Sequence, residues 1–158
     1  MEYQALLEKF RNGPEELERA VKGVTKELAD YRPFPEAWSI RELVVHVTDS
    51  EINNFIRWKS IIAQPRSNAF VIDEDAWVRN MKYTTASIEK YLMVFRLLRE
   101  ISHEYLIEVD QKEWNNEYFL HPTLGMVTLE KCISIYANHI PSHIEHIERN
   151  KKLWAERG

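Results

Sequence analysis

Four stretches of this chain repeat apolar residues at spacings of three and four, and that period is what most limits the folds open to it. Leu17, Val21, Val24 and Leu28 make the first stripe, and Ile40, Leu43, Val44, Val47, Phe55 and Trp58 the second. Ile88, Tyr91, Leu92, Phe95, Leu98 and Leu106 make the third, and Leu129, Ile133, Tyr136, Ala137, Ile140, Ile144 and Ile147 the fourth. Such positions lie along one face of an α-helix. The 158 residues include only four glycines, which argues against a many-stranded sheet with tight hairpins and against a Gly-rich phosphate loop. Apolar residues make up 44% of the chain, and a domain of this length buries roughly two-thirds of its unfolded surface. The expectation is an all-α four-helix bundle formed by one domain spanning residues 1–158.

Local signals set the boundaries. The first helix starts as a short piece over residues 2–11. "NGP" interrupts it, and "EELERAVKGVTKELAD" resumes after Pro14. "WSIRE" opens the second helix, with Ser39 as cap and Glu42 three residues on as a capping box, and Trp38 able to staple onto Leu43. This helix runs to about Ala63. A long connection, "QPRSNAFVIDEDAW", leads to a third helix from about Thr85 to Val109, with a turn or two of helix at "DEDAWVRNMK". A second long connection holds "EYFLH", which reads as strand-like. The fourth helix starts at a Thr128 cap and continues through Pro141 to about Trp154. Connections of this length inside a small domain are usually functional or mobile.

The fourth helix carries "YANHIPSHIEHIE", with three of the chain's six histidines. On a wheel with Ile140 at zero, His143 lies at about −60°, His139 at about −100° and His146 at about −120°. All three sit along one edge of the apolar stripe, His143 nearest the core and His146 nearest solvent. His139 and His143, at i and i+4, can converge on one metal ion. A third ligand must come from elsewhere, and His46, at the stripe edge of the second helix, is the best candidate if those helices are neighbours. Three neutral imidazoles leave coordination positions open. The bland alternative is a row of half-buried, hydrogen-bonded histidines with no metal. Pro141 removes one backbone hydrogen bond and predicts a local bend or widened turn, with both histidines still reaching one ion.

Other function classes are excluded by what is missing. Net charge is −4, with no basic block, so no nucleic-acid footprint is expected. Cys132 is alone, which rules out an intramolecular disulfide and fits a reducing compartment. No apolar run approaches the length of a membrane span, and "MEYQALLEKF" does not read as a signal peptide. A cytoplasmic location is the default expectation.

"AWSIRELVVHVTDSE", "DEDAW" and "YANHIPSHIEHI", in that order and spacing, resemble the DinB superfamily in its YfiT-like branch, over about residues 15–150. The resemblance implies a four-helix bundle, often a homodimer, with a divalent metal on a histidine triad that maps to His46, His139 and His143. Zinc or nickel is the implied ion, with iron, manganese or copper as alternatives. Relatives of this kind include enzymes that use low-molecular-weight thiols such as bacillithiol or glutathione. The first functional expectation is therefore a metal-dependent thiol S-transferase or isomerase acting on a small-molecule substrate. The alternatives are a metal-dependent hydrolase and a non-enzymatic metal-binding stress-response dimer. Asp49, Asp73 and Glu74 are candidate catalytic carboxylates, with Asp49 also a candidate acceptor for a ligating imidazole N–H. His146 is expected beside the ligands or on the surface. Trp38, Trp58, Trp77 and Cys132 read as packing residues.

Overall fold

A computed structural model describes residues 3–157; Glu2, where the first helix was expected to begin, lies outside them. Among the described residues there are six α-helices: α1 (Gln4–Val21), α2 (Lys26–Ala29), α3 (Ile40–Ala63), α4 (Glu74–Asn80), α5 (Ile88–Leu106) and α6 (Leu129–Ala155). Two short strands, β1 (Tyr118–His121) and β2 (Gly125–Thr128), pair antiparallel. The four long helices α1, α3, α5 and α6 form the bundle. Helix α1 packs on α5 and α6, and α3 packs on the same two from the other side, so α3 and α6 are neighbours. Among the described residues no helix is long and apolar enough to cross a membrane.

The local signals in α3 and α6 act as their chemistry requires. Ser39 Oγ accepts from the Glu42 N–H at 3.2 Å, and Glu42 Oε2 accepts from the Ser39 N–H at 2.8 Å. This capping box satisfies two end groups, and a cap of this kind contributes about 1 kcal/mol. Trp38, just before the cap, packs against the core cluster that contains Leu43. Thr128 closes β2 and caps α6, accepting from the Lys131 N–H. Helix α6 continues unbroken through Pro141, whose ring is exposed. The proline therefore does not begin a new segment.

Three expectations need correction. "NGP" does not interrupt the first helix, which runs through Pro14 to Val21. Pro14 has no N–H to give Phe10, and Arg99 Nη1 donates to that carbonyl instead, at 2.6 Å. A side chain at position 13 would crowd the same guanidinium, since a Cβ there would sit 3.3 Å from Arg99 Nη1 and 3.2 Å from Ile140 Cγ1. The helix then ends earlier than Asp30, because Gly23 takes φ +76° and Thr25 caps the separate α2. The third helix is shorter at both ends, because Ser87 caps it and Leu106 is its last residue.

The long connections are ordered by backbone pairing. Leu120 of β1 donates to Ser67 O and accepts from the Ala69 N–H, both at 2.8 Å, so residues 67–69 lie along the hairpin. Asp73 then caps α4 through the Ala76 N–H. This path brings α4 against α3.

Candidate metal centre

His46 sits two turns into α3, after the capping box, and is buried. His139 and His143 sit one turn apart on α6 and are half-buried. Their three Nε2 atoms converge: His46 to His139 and His46 to His143 at 3.2 Å, and His139 to His143 at 2.8 Å. These three residues lie close enough to bind one metal ion. His146 is exposed, with its ring 5.7 Å from that of His143. The wheel's placing of His146 outermost agrees with this, whereas its ranking of His143 inside His139 is not reproduced, since both are half-buried alike.

Electrostatics favour the form that binds metal. Burial lowers the pKa of His46 to about 3, helped by the neighbouring His143. His139 falls to about 3 through burial, then His46 and Arg99, and His143 falls to about 3 through burial, then His139 and His146. All three rings are neutral at pH 7 and each carries one in-plane lone pair. An Nε2 is either an N–H donor or a lone-pair acceptor, never both. Three such atoms in mutual contact cannot all be satisfied, and at least one pair must set lone pair against lone pair or N–H against N–H. A cation between them accepts all three lone pairs. Zn–N bonds of about 2.0–2.1 Å in tetrahedral geometry put neighbouring nitrogens about 3.3 Å apart, close to the two separations from His46 and wider than the 2.8 Å between His139 and His143. The donor set thus fits a divalent ion.

The carboxylates separate by position. Glu74 Oε2 lies 3.9 Å from His46 Nε2; with His46 neutral this is a close approach, not an ion pair. The Glu74 carboxyl is pushed above its usual range by burial, then by Asp75, with Arg57 opposing. Asp49 accepts from the Tyr83 hydroxyl rather than from a histidine, and burial raises its pKa. Asp73 is committed to the α4 cap. Cys132 is buried, donates to Asn54 Oδ1 at 3.4 Å, and has its thiol pushed up to about 12 by burial, so it is no nucleophile. His121 accepts from the Thr123 and Leu124 N–H groups in the hairpin turn.

Sequence reasoning missed part of the surroundings. The Trp38 ring lies 4.8 Å from that of His46. A cavity of about 310 Å³ adjoins His143 and is lined in part by Phe34, Trp38 and Arg149. The one signal for Arg149 is its place on the wheel, about 60° beyond His146.

A helical bundle with three imidazoles meeting across two neighbouring helices defines a class that the comparisons identify. The chain belongs to the DinB superfamily, whose family profile matches residues 9–147. Proteins of Bacillus cereus (strain 03BB102) and Bacillus anthracis (strain A0248), each named "Putative metal-dependent hydrolase", are 26% identical over 148 residues, covering 92% of this chain and 83% of theirs. Among solved structures the fold is similar to that of YfiT from Bacillus subtilis, described as "a probable metal-dependent hydrolase with an unusual four-helix bundle topology". The TM-score is 0.88, with 25% identity, covering 96% of this chain and 86% of that one.

Proposed function

We propose that this chain is a metal-dependent hydrolase of a small-molecule substrate, with His46, His139 and His143 as the ligands of one divalent ion, zinc or nickel first. The observation that carries the reading is the convergence of three neutral Nε2 atoms that cannot satisfy one another. A divalent ion held by these three imidazoles would supply Lewis-acid chemistry for hydrolysis. Trp38 holds the His46 ring from the side, and the α3 capping box fixes the backbone beneath it. Glu74, 3.9 Å from His46 Nε2 and open to solvent on one side, is placed to take a proton from the attacking water. His146 stands outside the ligand set.

The test is direct. Untagged protein reconstituted with zinc should hold one equivalent by elemental analysis, and His143→Ala should hold none; wild type without stoichiometric metal ends the reading. Glu74→Gln should keep the metal and lower kcat by about 10²-fold or more. Thiol transfer makes a second reading at the same site. Any thiol must come from solution, as bacillithiol or glutathione, because Cys132 is buried and protonated. Conjugation of either thiol to an electrophile, absent hydrolysis, would favour it. The alternative of a purely structural ion is disfavoured by the cavity beside His143.

We also propose that the chain acts as one domain and works as a cytoplasmic homodimer. The support for the dimer is a stripe of exposed apolar residues on α5, Met93, Leu97, Ile101 and Tyr105, with Ile52 and Ile56 of the neighbouring α3 also exposed. Monomeric proteins rarely leave such a contiguous face bare. Light scattering should give twice the chain mass, and Leu97→Glu should halve it.

A further inference from the structure

The cavity beside His143 has two unlike sides. Its apolar wall is built from Phe34, Trp38 and Leu43, and His143 brings the metal centre to it. At about 310 Å³ it is at the small end of the range for small-molecule sites. Its cation is Arg149, and that side chain is held in an unusual way for an arginine near a surface. Nε and Nη2 donate to Asn150 Oδ1 at 3.2 and 3.0 Å. Asn150 is fully buried and is itself fixed, donating from Nδ2 to the Trp38 carbonyl at 2.9 Å. The guanidinium lies 5.1 Å from the Phe34 ring centroid. Among the described residues no carboxylate comes within 4 Å of it, and Nη1 makes no hydrogen bond. One edge of the fork is thus spent on positioning, and its end, Nη1 with the second N–H of Nη2, remains for a planar anion.

We propose that this cavity is the substrate pocket and that Arg149 is its specificity residue. It takes a small molecule with an apolar body and a terminal carboxylate, the body against Phe34 and Trp38 and the carboxylate end-on to Arg149. This rests on the metal-centre reading, which puts the reacting bond near His143. Arg149 lies six positions beyond His143 on the helix, about 9 Å of rise, which sets the scale of the ligand. Glu36, Glu74 and Asp75 also line the cavity. Their side chains are exposed to solvent at the cavity rim, so they oppose the Arg149 cation only weakly.

Calorimetric titration of the full-length chain with N-benzoylglycine and its primary amide tests this, the two probes differing in little but the charge. The carboxylate should bind about tenfold tighter or better, the gain of one charge-assisted fork. Arg149→Gln should erase the preference and leave zinc stoichiometry unchanged, and Arg149→Lys should keep part of it. Equal binding of the two probes, tighter binding of the amide, no binding of either, or a preference that survives Arg149→Gln overturns the proposal. Survival would mean the carboxylate sits on the metal itself. The two readings come apart in metal-free protein: an Arg149-dependent preference with no zinc uptake keeps the anchor and discards the metal centre.

Discussion

The bundle buries two polar centres, and they are built on opposite terms. On α5, Arg99 is 1% exposed. It donates to Glu51 Oε2 at 2.6 Å, to the Phe10 carbonyl at 2.6 Å and to the Tyr136 carbonyl at 2.8 Å, and lies 3.8 Å from the Phe10 ring centroid. Glu51 Oε1 is taken by Asn54, and Asn54 by Cys132. Every group there has a partner within the chain. At the other centre, three imidazoles press their Nε2 atoms together and the Nδ1 of His143 is buried without a partner. A buried polar group normally has a hydrogen bond, so a cluster whose members satisfy one another reads as architecture. One whose members cannot do so reads as a receptor for something from outside.

This contrast can be broken by measurement. The largest effect is expected at the closed centre. Arg99→Met strands the Glu51 carboxylate and should cost about 3–5 kcal/mol in urea unfolding, with part of the loss recovered on adding Glu51→Gln. The open centre should respond instead to its ligand. Zinc at a hundredfold excess over its Kd should raise wild-type stability by about 2.7 kcal/mol and leave His143→Ala unmoved.

Acid comes next. The three histidines fall from their ordinary 6.5 to about 3 in the folded, metal-free chain, so between those values the unfolded chain holds more protons than the native one. Stability should be level above neutrality and fall as pH drops from about 6.5 towards 3. Each histidine contributes at most about 1.4 kcal/mol per pH unit, and His143→Ala should flatten the slope. The smallest effect is the sharpest discriminator: metal-free His143→Ala at pH 7 should lie within about 1 kcal/mol of wild type, because it removes a crowded, unpartnered ring. A loss as large as that of Arg99→Met would make the histidines part of the architecture.

The two centres also differ in how far the sequence discloses them. Ser39 with Glu42, and His139 with His143, are relations within one turn of helix, and local geometry reveals them. His46 needs one further assumption, that its helix neighbours α6, and the packing of α3 on α6 meets it. Arg99 gives no such sign. It looks like one of many charged residues in a helix, and its partners lie 89, 48 and 37 residues away. The proline at position 14 hides the same fact from the other side. It reads as a helix break until the arginine that replaces its missing N–H is known. Phe34 and Arg149 meet at one cavity only because a loop and a helix end fold together, which no periodicity records.

Arg99 also bears on how the chain folds. Its guanidinium draws one contact each from α1, α3 and α6 while standing on α5. Any assembly of three helices that buries it leaves a contact missing, and a buried charge with incomplete partners is penalised by several kcal/mol. Partial structures are therefore unstable, and unfolding should proceed in one cooperative step. The cleft between α3 and α6, where the histidines meet, cannot open by itself without disturbing that same guanidinium. The rigidity of the three-histidine cluster is in this sense set by a buried arginine that stands on a helix contributing none of its members.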